Sequence, residues 1–408
     1  MVLLELWNGI KERFVVNKFR VPLMAQPYGK EEILEAMESL ISGDVTMGKK
    51  VAEFERLFAA YIGKKFAVMV NSGSSANLLA LTALVTQGKL KPGDEVITPS
   101  VTWATTVFPI VNCGAVPVLI DVDLDTFNIS ATEIEKAITS KTKVIMLVHL
   151  LGNPCNMKEI MKLAAKHNLI VIEDACESHG AEIGGVKTGC FGDMSVFSFF
   201  YSHHITTIEG GMILTDDYNL YQLLKSLRVF GWIRELDNNE KYSDKYPELD
   251  PKFLFINIGY CFRPTELQGA FGIHQIKKLD NFIQIRRDNA EYWYDRLSKF
   301  KKDITIHQER NNTKHAWFGY PIIVNKEADF SRKYLTDYLN AAGIETRPVM
   351  TGNIALQPVM KQFKHRIVGT LPNATFISKN AFFFGNHQNI THDDREYVAN
   401  CIASFLGI

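Results

Sequence analysis

The chain has 408 residues, 46% hydrophobic and 22% charged, the composition of an ordinary globular protein long enough for a large unit and a smaller one, each with its own core. Its 45 Lys and Arg balance 45 Asp and Glu, so no basic surface argues for nucleic acid or for an anionic membrane as partner. No apolar run approaches the length of a transmembrane helix, and the opening Met1–Glu12 meets Glu5 at once, unlike a secretory h-region.

The chain is therefore expected to be cytoplasmic, with a short surface helix in an N-terminal segment over 1–25. The cysteines at 113, 155, 176, 190, 261 and 401 are scattered, which reads as free thiols in a reducing compartment. No Cys-x-Cys or Cys-x-x-Cys occurs, which argues against an iron–sulfur cluster, and no metal site is expected.

Apolar positions at helical spacing predict a helix over 31–42, stopped at Gly43, and a second over Lys49–Tyr61. Apolar runs at Phe66–Val70, Glu95–Thr98, Val116–Asp121, Val144–Val148 and Leu169–Ile172 then alternate with helical stretches at Ser75–Leu84, Thr102–Val111, Thr132–Ile138 and Met157–His167. That alternation predicts a largely parallel α/β sheet covered on both faces. A strand pair at Ser195–Phe199 and Met212–Thr215 flanks a loop centred on His203. Residues 216–300 read as mostly helical, broken by a polar loop at Asp237–Pro251. From about Asp303 the order is strand, helix, strand, strand, helix, at Trp317–Val324, Asp329–Ala342, Glu345–Arg347, Ala381–Phe384 and His392–Phe405. The expected division is a large unit over 26–300 and a small one over 301–408.

Three motifs carry chemistry. Asn71-Ser72-Gly73-Ser74-Ser75-Ala76-Asn77 follows the first strand and opens a helix, so its free N–H groups suit a phosphate, although an ordinary N-cap would look the same. Asp174 ends an apolar strand in Val171-Ile-Glu-Asp174-Ala-Cys-Glu177, where an acid can either face a ring nitrogen or cap the next helix. Ser198-Phe-Phe-Tyr-Ser-His203-His204 runs on to Glu209-Gly210-Gly211. A strand-end acid, a serine and a reactive side chain on the next loop are how a pyridoxal phosphate enzyme holds ring nitrogen, phosphate and C4′. In most such enzymes the reactive group is a lysine, but none occurs between Lys187 and Lys225. His203 stands in its place, and an imidazole cannot form the covalent link. Surface or metal-binding histidines are the alternative, although neighbours on an extended segment point apart and would not share a metal.

These motifs resemble those of the DegT/DnrJ/EryC1/StrS sugar aminotransferase family, a fold-type-I pyridoxal phosphate group in which Ser-Phe-x-x-x-Lys precedes Thr-Thr-x-Glu-Gly-Gly. With histidine at 203, the chain is similar to the family's sugar 3-dehydratase branch. The resemblance implies a large domain with a mixed, mostly parallel seven-stranded sheet and a smaller α+β C-terminal domain. It implies pyridoxal or pyridoxamine phosphate as cofactor, with Gly73, Ser74 and Ser198 at its phosphate, Trp103 stacked on the ring, Asp174 on the ring nitrogen and Glu177 near the ring hydroxyl. His203 would take a proton from C4′ so that the C3 hydroxyl leaves a nucleotide-linked 4-keto-6-deoxyhexose, with L-glutamate restoring the pyridoxamine form. A histidine, with an ordinary pKa of about 6.5, suits that task near neutral pH, where a lysine at about 10.4 does not.

The substrate loops that the resemblance implies contain Met47, Arg347, Asn353, Asn386 and His387. Arg347 would grip a carboxylate or phosphate, unless it merely salt-bridges on the surface. Guanosine as the nucleotide also comes from the resemblance alone. Gly259-Tyr-Cys-Phe-Arg263-Pro-Thr265 resembles a segment that reaches the neighbouring subunit, implying a homodimer with shared active sites. Two positions depart from the family: Cys261 stands where asparagine is usual, and Phe230 where histidine is usual. An aminotransferase, which needs a lysine near 203, and an inactive cofactor-binding regulator remain the alternative readings.

Overall fold

The apolar runs become the strands of one sheet in a computed structural model that describes residues 18–407; the expected N-terminal surface helix lies outside those residues. In chain order the strands are β1 (Phe66–Val70), β2 (Glu95–Pro99), β3 (Val116–Ile120), β4 (Thr142–Val148), β5 (Ile170–Asp174), β6 (Glu182–Ile183), β7 (Val186–Lys187), β8 (Met194–Ser198) and β9 (Gly211–Thr215). The large sheet runs β1-β9-β8-β5-β4-β2-β3, with β9 alone antiparallel to its neighbours.

Every residue of β2, β3, β8 and β9 is buried, as expected for strands covered on both faces. Because side chains alternate along a strand, successive residues serve opposite cores. Ile145, Leu147 and Val171 pack with Met157, Ile160 and Ala164 of the helix Met157–His167. Val144, Met146 and Ile172 pack with Leu79, Ala80 and Ala83 of the helix Gly73–Thr86.

The C-terminal part adds β10 (Ile304–Ile306), β11 (Thr313–Lys314), β12 (Gly319–Val324), β13 (Thr346–Pro348), β14 (Arg366–Ile367) and β15 (Ala381–Gly385). Four of these form an antiparallel sheet in the order β10-β12-β15-β13. Trp293, near the end of the 32-residue helix Glu266–Leu297, is inserted edge-on against Tyr320 and Phe384, with ring centroids 5.1 and 4.8 Å away. β11 joins β6 and β7 in a small third sheet.

Three features differ from the reading of the sequence. The seven expected strands are joined by an eighth, because β14 pairs in parallel with β3; a two-residue strand carries no periodicity to read. The polar segment over Asp237–Pro251 is not wholly loop, since Glu240–Lys245 is helical, but that helix buries nothing and so has no apolar face. The helix Pro372–Asn380 was also unread, although a proline in its first turn marks its start. Among the described residues, no helix is long and apolar enough to cross a membrane.

Candidate active site

A cavity of about 420 Å³ opens at the C-terminal ends of β4, β5 and β8, within the roughly 300–1,000 Å³ of small-molecule sites. The fold brings together here Gly73, Ser74, Trp103, Asp174, Glu177, Ser198, His203 and Arg347, with Thr102, Thr106, Phe200, Ser202, Glu209, Phe318, Met350 and Phe383 as further walls.

One corner is the N-terminus of the helix Gly73–Thr86. Ser72 caps it: its Oγ accepts from Ser75 N at 3.1 Å and its carbonyl from Ala76 N at 3.0 Å. The first N–H groups of a helix have no partner within it, so those of Gly73 and Ser74 remain for an anion, with the helix dipole aligned behind them. Ser198 closes the corner from the end of β8. A Cβ on Gly73 would lie 2.6 Å from Ser198 Cβ and 2.9 Å from its Oγ, so only glycine allows this approach.

Asp174 is fixed at the end of β5. Its Oδ2 accepts from Asn77 Nδ2 at 3.0 Å and Thr106 Oγ1 at 2.8 Å, and its Oδ1 from Cys176 N at 3.3 Å. Thr106 Oγ1 in turn accepts from Thr102 Oγ1 at 2.9 Å. The carboxylate is thus aimed by side chains from the two helices on either side, and it is not a helix cap. Glu177 Oε2 accepts from Leu151 N at 2.7 Å. Burial pushes the Glu177 carboxyl up to about 8; the Leu151 N–H opposes this and the charge of Asp174 adds to it. Trp103 is 55% exposed, leaving an indole face uncovered at the cavity wall.

His203 lies on the turn after β8, with its N–H donating to Phe200 O at 3.0 Å. Its ring packs against Phe318 at 5.3 Å and His179 at 6.0 Å between centroids. Nδ1 is buried without a partner, which leaves Nε2 for the cavity. Burial, and then the charge of Arg286, push its pKa down to about 3, so the imidazole is neutral at physiological pH, with a ring nitrogen free to accept a proton, but it is a weaker base than the ordinary histidine the sequence suggests.

The loop turns at 201–205 and is not extended, so His204 does not point away from His203 as expected. Its ring also packs on Phe318, at 5.8 Å, and its Nε2 contacts Ala316 O at 3.0 Å. Even so, no group of three His, Cys, Asp or Glu among the described residues could hold a metal ion, and the six cysteines are free.

Four expected substrate residues do not line this cavity. Met47 packs beside the core cluster containing Phe54 and Phe58. Asn353 starts a short helical turn, accepting from Ala355 N at 3.1 Å and donating to Thr375 Oγ1 at 3.2 Å. Asn386 is fully buried between Asn289 and Arg286, and the Nε2 of His387 contacts Pro22 O at 3.2 Å. Asparagine and histidine at these positions look like ligand groups in the sequence, but other polar groups of the chain claim them first. Arg347 does reach the cavity, with an exposed side chain 4.0 Å from Glu345.

Sequence reasoning missed Asn77, Thr106, Phe318 and Arg286. The first two carried a signal, being polar residues on otherwise buried faces of their helices. Leu151, Ile208, Trp317 and Met350 around the site all have positive φ, at 52°, 69°, 47° and 45°. Strained backbone of this kind gathers at binding sites, at a cost of about 1–3 kcal/mol per residue.

The profile of the DegT/DnrJ/EryC1/StrS aminotransferase family matches residues 27–403. The GDP-4-keto-6-deoxy-D-mannose 3-dehydratase of Escherichia coli O55:H7 (strain CB9615 / EPEC) is 41% identical over 382 residues, covering 92% of this chain and 98% of its own length. The solved structure of the E. coli GDP-4-keto-6-deoxy-D-mannose-3-dehydratase with bound hydrated PLP superposes with a TM-score of 0.89 at 40% identity, covering 94% of this chain and all of that one. A second structure, of GDP-4-keto-6-deoxymannose-3-dehydratase with a trapped PLP-glutamate geminal diamine, gives 0.89 at 41% identity with the same coverage.

Proposed function

The chain belongs to the DegT/DnrJ/EryC1/StrS aminotransferase family, and within it we propose a pyridoxal phosphate-dependent sugar 3-dehydratase acting on GDP-4-keto-6-deoxymannose, with L-glutamate as amino donor. One observation carries the reading: the cavity that joins an aimed carboxylate to an anion corner is completed by His203, and no lysine among the described residues lines it.

The residues present fit the cofactor. Gly73 and Ser74 N–H groups and the Ser198 hydroxyl would hold its phosphate, Asp174 the protonated ring nitrogen, and Trp103 one face of the ring. When bound, the cofactor supplies a conjugated electron sink joined through nitrogen to the sugar. Asp174 can keep a proton on the ring nitrogen because Asn77 and Thr106 fix its carboxylate. The Nε2 of His203 would take a proton from C4′, the step that drives departure of the C3 hydroxyl. An imidazole held far below its ordinary pKa releases that proton readily, so the same ring can protonate the leaving hydroxyl. The Phe318 and Phe383 walls limit the entry of water. Arg347, at the rim, is placed for an anionic part of the substrate.

We assign the protein to the cytoplasm, as a homodimer with shared sites. In support, the side chains of Phe200, Tyr201 and Ile208 around the histidine loop are exposed, as are Phe253, Phe255 and Ile258 ahead of Arg263. Arg263 does not reach its own cavity; it lies over the Phe230 ring and beside Cys261. Analytical ultracentrifugation checks the assembly, and a purely monomeric active protein would contradict it.

The function is tested by mass spectrometry of the nucleotide sugar after incubation with pyridoxal phosphate, L-glutamate and GDP-4-keto-6-deoxymannose. A product lighter by one oxygen, with ammonia and 2-oxoglutarate released, is expected. An amine retained on the sugar would mean transamination and would overturn the role of His203.

A further inference from the structure

Arg286, on the helix Glu266–Leu297, is 1% exposed, yet no carboxylate among the described residues lies within 4.0 Å of its guanidinium. It donates instead to three backbone carbonyls. Nη1 reaches Trp317 O at 3.2 Å, Phe318 O at 3.1 Å and Asn386 O, while Nε is buried without a partner. A buried cation satisfied only by carbonyl dipoles keeps most of its field, because nothing neutralises it.

Two of the three carbonyls it holds belong to the turn at 316–318. Trp317 has φ of 47°, in the left-handed region that a tryptophan rarely adopts. Ala316 N and Phe318 N donate to Gly152 O and Leu151 O, both at 2.9 Å, and Ala316 O faces His204 Nε2. Arg286 closes this set from the opposite side. Phe318 at the end of the turn carries the ring that packs on His203. Asn386, which the sequence suggested for the substrate, therefore serves as one of the acceptors that fix the guanidinium.

We propose that Arg286 is a positioning residue for the base: it clamps the 316–318 turn that seats Phe318 against His203, and its unneutralised charge opposes a second positive charge on that imidazole. The inference rests on the assignment of His203 as the base. Other groups face His203 as well. From its own loop come His204 and Glu209, from the end of β5 and the turn after it come Asp174, Glu177 and His179, and Arg347 lies across the cavity. His204 and His179 are both held well below their ordinary range by burial and stay neutral, and Glu177 is largely protonated at neutral pH. Arg286 is the group whose charge joins burial in lowering the pKa of His203, and burial also weakens the basicity of Arg286 itself, to about 9.

The test is a titration of the His203 ring by NMR on the full chain, with the cofactor bound and after its removal, the signal being assigned by its loss in His203→Asn. In the wild type the midpoint should fall below pH 5; a midpoint at or above the ordinary value overturns the proposal whether or not any variant folds. In Arg286→Gln the midpoint should rise by about one pH unit or more, and the acid limb of turnover should rise with it. Arg286→Lys should keep the low midpoint but lose about tenfold in turnover, because the shorter lysine side chain keeps the charge yet draws it back from the three carbonyls that Nη1 reaches. If Arg286→Gln and Arg286→Lys change melting temperature but leave the His203 midpoint where it was, the residue is only structural. Because the titration needs no turnover, that outcome would leave dehydration intact, and a failed dehydration assay would leave the titration result standing.

Discussion

Gly73 and Ser198 stand so close that a methyl group on Gly73 would sit 2.6 Å from Ser198 Cβ. The two come from different elements, a helix start and a strand end, and their contact narrows the anion corner. Gly73→Ala must push β8 and the helix apart, at a cost of about 1–3 kcal/mol in stability. Pyridoxal phosphate affinity, measured by equilibrium titration of its absorbance, should weaken about tenfold or more. Unchanged affinity would remove this corner as the phosphate site.

His203→Asn keeps a polar side chain of similar reach but cannot carry a proton between C4′ and the C3 hydroxyl. Turnover should fall by about 10² to 10⁴. The cofactor should still bind, because no covalent link to the chain is lost. Loss of binding together with activity would show that His203 is chiefly a structural residue.

Asp174→Asn tests the electron sink. The amide preserves shape, and its oxygen can still accept from Thr106, but the negative charge at the ring nitrogen is gone. Turnover should drop by about 10² or more, in line with the loss of a preorganised charge. The half-reaction with L-glutamate, followed by cofactor absorbance without any sugar present, should slow in parallel. A normal glutamate half-reaction in this variant would place Asp174 away from the ring nitrogen.

Glu177 gives a pH signature in stability. Its carboxyl is pushed up to about 8 from an ordinary value of 4.5 by burial. A group whose folded-state pKa is raised contributes stability that is complete below its unfolded pKa and is lost as pH rises through the folded one. Between pH 5 and 8 the wild type should therefore lose stability relative to Glu177→Gln, which keeps the acceptor for Leu151 N but cannot ionise. Urea midpoints at the two pH values check this. Parallel decline in both proteins would mean that Glu177 is ionised throughout.

Much of this architecture is readable in the sequence. Five strands and the helix Met157–His167 follow directly from alternation of apolar runs, because each buried strand must be apolar on both faces. The Gly73 turn, Asp174, Ser198 and His203, each at or shortly after a strand end, were legible as candidates for one site, and the fold does bring them to one cavity. What could not be read depends on distance in the chain. Arg286 looks like any arginine on a long helix until the turn at Trp317 closes over it. Asn386 and His387 look like ligand groups until the carbonyls of Arg286 and Pro22 take them. Thr106 and Asn77 were visible as polar residues in apolar helices, but only the fold shows that both point at one carboxylate oxygen.

The eighth strand also constrains how the site opens. Arg366 and Ile367 pair with Val118 and Leu119, and Arg366 grips Glu95 through Nε and Nη2 at 3.1 and 2.9 Å. Val101 bridges to Asn353, and Thr351 Oγ1 donates to Thr102 O at 2.6 Å. The C-terminal part is thus stitched into the main sheet on the same side of the cavity as Arg347 and Met350. A hinge opening there would have to break ladder hydrogen bonds, so the cleft cannot gape in the manner of a two-jawed clamp. Admission of a bulky sugar nucleotide then falls to the exposed side chains at the mouth, the arm of Arg347 and the indole of Trp103. Such a site behaves as a fixed mould with a small movable door.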